Sequence, residues 1–167
     1  MSKVHLIFGQ QGAGKSTYSK KLCQEINAVH YSIDEWMWKL YGADLPQPMN
    51  IGWIMERVDR CEKHIWSMAK QVVTNGCEVV LDLGFPKSVK RNAFKKLAQE
   101  IEVPVQVHFL NAPRLVRRQR VLDRNNEKGE TYSFEVTGGM FDFMEGEFDA
   151  LTASDLEGAV VIDTHAS

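Results

Sequence analysis

Nine residues near the start, Gly9-Gln-Gln-Gly-Ala-Gly-Lys-Ser-Thr17, have the types and spacing needed to hold a chain of phosphates. They match the pattern G-x-x-x-x-G-K-[ST] at every position. Glycines let the backbone curl until several N–H groups point inward at phosphate oxygens. The N-terminus of the following helix adds partial positive charge. Lys15 brings a full charge to the β- and γ-phosphates, and the Ser16 hydroxyl can ligate Mg²⁺. The flanks fit as well. Val4-His-Leu-Ile-Phe8 is a short apolar run ending at Gly9, and Tyr18, Leu22 and Ile26 recur at helical spacing.

Two carboxylates have matching positions further along. Asp82 follows Val79-Val-Leu81, as a metal-side carboxylate at the end of an apolar strand does. Asp34 opens a helix after a second short strand, where it can act as a general base toward an acceptor hydroxyl. Residue 83 is Leu, not a second carboxylate that would activate water, which argues against a dedicated motor. No Asn-Lys-x-Asp guanine reader occurs, so ATP is expected over GTP. Arg114, Arg117, Arg118, Arg120 and Arg124 crowd one helix, and Arg117, Arg120 and Arg124 share a face. Such a row can stack on adenine and neutralise a phosphoryl group in transfer, with Arg117 and Arg124 the pair expected to act. Lys87 and Arg91, on another basic helix, are placed to meet an anionic acceptor. Trp36, Trp38 and Trp53 flank Asp34, and one or two of them can line an acceptor pocket.

These residues need a scaffold. Apolar runs predict strands over about 3–8, 28–32, 78–82, 105–110 and 159–163, separated by helices. Ser32 and Glu35 form a capping-box pattern for the helix that carries Asp34. A long helix over about 52–75 shows Ile54, Val58, Cys61, Ile65, Met68 and Val72 as one stripe. The next helix shows Val89, Ala93, Leu97 and Ile101 on a face. Pro113 starts the Arg-rich helix, and Thr137 caps one running to Phe148. Strands alternating with helices give an α/β fold with a parallel sheet, whose ligands bind beyond the strand C-termini. Gly9, Asp34, Asp82, Asn111 and Asp163 all fall there, Asp163 as a nucleotide contact.

With 167 residues, 44% apolar and 25% charged, the chain is long enough for one domain with a sizeable core. A net charge of −2 gives no broad field for nucleic acid. Cys23, Cys61 and Cys77 are odd in number and widely spaced, as in a reduced, cytoplasmic protein. Neither a signal peptide nor a membrane-spanning run is expected.

Gly9–Thr17, Ser32-Ile-Asp-Glu-Trp36, Val79-Val-Leu-Asp-Leu-Gly-Phe85 and the 114–124 helix together resemble the small P-loop kinase-like ATP-binding proteins. This group, often filed as an AAA-type ATPase domain, includes polynucleotide 5′-kinase domains, chloramphenicol phosphotransferase and zeta-toxin kinases. The resemblance spans nearly the whole chain. It implies a three-layer P-loop NTPase sandwich over residues 1–167, with a five-stranded parallel sheet of order 2-3-1-4-5 and a helical lid at roughly 114–132. It implies phosphate binding by Gly12, Ala13, Gly14, Lys15, Ser16 and Thr17, and an acceptor-side base at Asp34. Lid arginines correspond to Arg117, Arg120 and Arg124 only approximately. Relatives that carry an Arg shortly after the base differ from Glu35-Trp-Met-Trp-Lys39 here, which argues against a nucleic-acid or phosphorylated acceptor. The expected activity is therefore ATP- and Mg²⁺-dependent phosphoryl transfer to a small-molecule hydroxyl, by a monomer or homodimer. The alternatives are an ATP-binding switch with slow hydrolysis and a nucleic-acid 5′-kinase.

Overall fold

The structure is a computed structural model that describes residues 2–127 and 135–165. The strands are β1 (Val4–Phe8), β2 (Val29–Ser32), β3 (Val79–Gly84), β4 (Val105–Asn111) and β5 (Val160–Asp163). They form one sheet in the order β2-β3-β1-β4-β5, with every neighbouring pair parallel. This is the P-loop NTPase order that the resemblance implied. The helices are α1 (Lys15–Ile26), α2 (Ile33–Tyr41), α3 (Ile51–Thr74), α4 (Ser88–Glu100), α5 (Arg114–Glu127), α6 (Gly138–Gly146) and α7 (Ala153–Leu156). The distal part of the expected lid, 128–132, lies outside the described residues.

Central β1 has a strand on each side and helices over each face, so all five of its residues are buried. Its side chains alternate between two cores. Val4, Leu6 and Phe8 pack with Ile65, Ala69 and Val73 of α3 and Phe94 and Ala98 of α4. Ile7 joins Val80 and Leu110 under Tyr18, Leu22, Cys23 and Ile26 of α1. Each fully buried side chain of this size contributes roughly 1.5–3 kcal/mol, and together they fix the strand whose end launches the phosphate loop. Among the described residues no helix is long and apolar enough to cross a membrane.

Two helices present a different face from the one their apolar residues suggest. On α3 the buried positions are Cys61, Glu62, Ile65, Ala69 and Val73, while Met68 is exposed. The stripe's steps of four and three average close to the helical period, so periodicity does not decide the face; packing against β1 takes Ile65, Ala69 and Val73 into the core and leaves Val72 at its margin. Glu62 tolerates its position because Lys90 of α4 reaches it at 2.6 Å. On α4 the buried residues are Arg91, Phe94 and Ala98, and Val89 is 75% exposed.

Arg91 explains the rotation of α4. Its guanidinium donates to the carbonyls of Phe85 (2.7 Å), Pro86 (3.1 Å) and Asp149 (2.7 Å) and to the carboxylate of Asp155 (3.3 Å). These bonds satisfy a charge with no exposed surface. Asp155 lies in the short helix α7, unforeseen in the sequence, which a reciprocal Thr152–Asp155 capping box starts. Arg91 is thus a clamp on the turn after β3 and does not meet an acceptor. Lys87 is engaged too, by Glu147 at 3.1 Å.

A polar chain crosses the α1 side of the sheet. Tyr18 Oη lies 2.7 Å from His108 Nδ1, His108 Nε2 lies 2.9 Å from His5 Nδ1, and His5 Nε2 lies 3.5 Å from Glu78 Oε1. Glu78 can only accept, so His5 carries its hydrogen on Nε2, although 3.5 Å leaves that contact electrostatic rather than hydrogen-bonded. His108 then donates to His5 and accepts from the Tyr18 hydroxyl. Burial, helped by His5, holds His108 down to about 4 from an ordinary 6.5. Burial also lowers His5, outweighing the opposing pull of Glu78.

The unfolded chain takes up these protons near pH 6.5, and the folded chain resists. The stabilising difference is therefore complete above pH 6.5 and is lost as pH falls toward 4. Urea unfolding from pH 7 to about 4.5 should show wild type losing roughly 2–3 kcal/mol more than His108→Gln. Parallel losses in the two proteins would show that His108 is not the acid-sensitive group.

Candidate active site

The phosphate loop leaves the buried end of β1. Gly9 N–H donates to Gly84 O of β3 at 3.2 Å, and Gly12 and Gly14 take φ values of +76° and +93°. L side chains rarely adopt that backbone. At Gly12 there is also no room, since a Cβ would stand 2.3 Å from the backbone oxygen of Arg117 on α5. Gly14 is the N-cap residue of α1 and has no side-chain cap, so the first amides of that helix stay available to an anion.

A cavity of about 310 Å³ opens above the loop. Gln11, Gly12, Gly14, Lys15, Ser16 and Thr17 form one wall. Asp34, in the first turn of α2, forms another. Ser32 caps that helix by accepting from Glu35 N–H at 3.3 Å, while the Glu35 carboxylate turns outward to Lys39. The third wall is one face of α5, with Arg120, Asp123, Arg124 and Glu127.

The charges in this cleft are coupled. Lys15 Nζ donates to Gln10 O at 3.0 Å. Loss of hydration lowers its proton affinity against the opposing fields of Asp82 and Asp34, and Arg124 and Arg117 lower it further. Asp34 is an exposed residue on the cavity wall, although protein atoms crowd its carboxyl from the loop and α5 sides. The resulting loss of hydration pushes it above the ordinary carboxylate range, Lys15 and Arg124 pull it back, and Asp82 pushes it up. Beneath the loop, Asp82 is buried with Oδ2 3.4 Å from Ser16 Oγ and 3.1 Å from His30 Nε2. β3 continues two residues past Asp82 to Gly84.

The arginine row divides by task. Arg124 faces the cavity and makes no hydrogen bond or ion pair with another described residue. Arg120 also lines it, but its guanidinium is tied to Gly12 O (3.1 Å), Thr164 Oγ1 (3.0 Å) and Thr164 O (2.6 Å). Arg117 does not line the cavity. It is buried, fork-to-fork with Glu145 of α6 at 2.7 Å on both nitrogens, and donates to Ala112 O at 2.9 Å. Full coordination by protein turns it away from where phosphates would lie.

Gly9, Ala13 and Asp163 do not line the cavity either. Gly9 and Ala13 shape the loop from behind, and Ala13 O accepts from Thr164 Oγ1 at 2.7 Å. Asp163 bends outward to His165, with Nδ1 at 2.5 Å and the backbone N–H at 3.2 Å. Its neighbour Thr164 makes the contact with the loop. Of the partners the sequence reading did not pick out, His30 had a detectable signal. Ser32 pairs with Asp82 across β2 and β3, and His30, two residues earlier, shares its strand face. Thr164 and Glu145 had none, because their roles arise from distant packing.

The family model described as an AAA domain matches residues 4–151, and the chain belongs to that family. No curated protein matched the sequence. Among solved structures, a candidate kinase from Chloroflexus aurantiacus superposes with a TM-score of 0.76 at 13% identity, covering 98% of this chain and 85% of that one. Kti12 from Chaetomium thermophilum, in complex with ADP-AlF3, gives 0.70 at 14% identity, covering 96% and 89%. A gluconokinase from Sinorhizobium meliloti gives 0.63 at 15% identity, covering 99% and 84%. The chain is thus a small P-loop kinase-like protein in fold.

The two arginines should separate in a stability measurement. Arg117→Ala empties a buried guanidinium site and leaves the half-buried Glu145 with only Gln10 at 3.3 Å and Arg114 at 4.0 Å, and should cost about 3 kcal/mol. Arg124→Ala should stay within about 0.5 kcal/mol of wild type. Urea midpoints with unchanged slopes would read both, and equal losses would contradict the division.

Proposed function

We propose that this protein transfers the γ-phosphoryl group of ATP to a hydroxyl of a small molecule, with Mg²⁺. The observation that carries the reading is a single cleft in which Asp34 stands across from the phosphate loop and Lys15. A phosphate loop alone would serve any nucleotide hydrolase. A carboxylate on the opposite wall, with its proton affinity raised by partial loss of hydration, suits a base that must accept a proton from an alcohol. The kinase descriptions of the Chloroflexus and Sinorhizobium proteins support the same class.

In this reading the amides of Gly12 to Thr17 and the start of α1 cradle the phosphates, and Lys15 exchanges its bond to Gln10 O for β- and γ-oxygens. Arg124, without a protein partner among the described residues, turns to the phosphoryl group as its charge redistributes. Asp34 orients the acceptor hydroxyl and takes its proton as the new O–P bond forms. The Ser16 hydroxyl and Asp82 are hard oxygen donors 3.4 Å apart, which fits Mg²⁺ completed by waters and phosphate oxygens. When bound there, Mg²⁺ neutralises charge on the β- and γ-phosphates. His30 holds one Asp82 oxygen in place. The free thiols of Cys23, Cys61 and Cys77 support a reducing, cytoplasmic setting.

Lys15→Ala should weaken ATP binding or abolish turnover, because among the described residues no other lysine lines the cleft. Asp34→Asn keeps shape and loses basicity. It should cut acceptor-stimulated ADP release by about 10²–10⁴-fold, a barrier rise of roughly 3–5 kcal/mol, with ATP affinity nearly unchanged. Calorimetry of ATP binding beside a transfer assay separates the two. If transfer survived Asp34→Asn within a few-fold, the base would lie elsewhere.

A further inference from the structure

The Asp34 side of α2 does not end at the cleft. Residues 34, 38 and 41 lie about one turn apart along one side of the helix, so Asp34 is followed by Trp38 and then Tyr41. Tyr41 meets Trp53 of α3 edge-on, with centroids 6.1 Å apart and planes at 81°. Arg57, one turn further on α3, lays its guanidinium over the Trp53 ring at 3.8 Å and approaches Tyr41 at 5.8 Å. The strip is open to solvent at Trp38, which is 42% exposed. Its shape is held from below, because the Trp38 ring lies on Gly42, where a Cβ would come within 2.6 Å of it.

Arg57 gives the strip its polarity. One nitrogen donates to Trp53 O at 3.0 Å, and the side chain makes no ion pair among the described residues. A guanidinium flat on an indole keeps its outer edge free for an anion. The distance from Asp34 to Tyr41 along the helix is about 10 Å, from a rise of 1.5 Å per residue. The strip thus offers ring faces and one cation. A planar ring can stack along such faces, which an aliphatic polyol cannot do.

We propose that this strip is the acceptor site, and that the acceptor is a planar aromatic alcohol with an anionic group at the end remote from its reacting hydroxyl. The proposal rests on the phosphotransferase reading and names its substrate class. The hydroxyl reaches Asp34, the ring lies along Trp38 and Tyr41, and the anion meets Arg57 beyond Tyr41. The step transfers the γ-phosphoryl group from ATP to the alcohol oxygen, releasing ADP, and the alcohol proton passes to Asp34. Specificity against a sugar acid follows from stacking, which an aliphatic polyol cannot supply.

The test uses the full chain with a non-hydrolysable ATP analogue and three probes: 4-(2-hydroxyethyl)benzoate, the uncharged 2-phenylethanol, and gluconate. Ligand-observed NMR should detect the carboxylated aromatic binding at least 10-fold tighter than 2-phenylethanol, with no signal from gluconate. Arg57→Gln should erase the preference for the carboxylate. Gly42→Ala, which displaces Trp38, should weaken both aromatic probes. ATP-analogue affinity should stay the same in both variants. Binding of gluconate in preference to the aromatics would overturn the proposal, as would aromatic binding that neither variant alters or dimerisation that buries Trp38. Failure of ATP-analogue binding in wild type would instead overturn the phosphotransferase reading.

Discussion

A lysine ammonium held in a cleft before any phosphate arrives sets the terms for the rest of this site. Lys15 is partly withdrawn from water, and the protein compensates with one carbonyl, Gln10 O, and with the fields of Asp82 and Asp34. Those carboxylates come from the C-terminal side of two strands on the same flank of β1. The order β2-β3-β1 brings them beside the loop. The parallel sheet is thus an electrostatic arrangement as well as a packing one. It sets two negative charges against one positive charge and leaves a gap that phosphates can enter by replacing weaker partners.

Much of this was legible in the sequence because it depends on local rules. The strand-loop-helix around Gly9–Thr17 follows from glycine conformations and an apolar run, and Asp34 follows from a capped helix after a strand. The strand order came from the family resemblance. What escaped was decided by contacts between distant segments. Arg117, Arg120 and Arg124 look equivalent on a helical wheel, yet Glu145 takes the first, Gly12 and Thr164 take the second, and the cavity keeps the third. Arg91 reads as surface charge until the carbonyls of Phe85, Pro86 and Asp149 close around it. Charge in a sequence says nothing about whether it is matched within the fold.

The buried charges carry specificity as well as energy. Arg91 with Asp155, Arg117 with Glu145 and Glu62 with Lys90 each join elements far apart in sequence. A well-packed apolar replacement could match their stability. It would not have their directionality, which fixes how α4 sits on the turn after β3 and how α6 sits on α5. Of these elements, α5 lines the cleft.

One tie has a consequence for how the protein matures on the ribosome. Thr164 bonds Ala13 O and, through Arg120, holds Gly12 O, so the phosphate loop is braced by a residue from the far end of the described chain. β4, which pairs with β1, also emerges long after the loop it supports. A nascent chain presents the whole phosphate motif well before it presents the struts that hold the motif in shape. Contacts this distant in sequence close late, after the loop-closure entropy has been met. The motif is therefore expected to gain its full affinity for nucleotide only once β5 has reached the sheet edge.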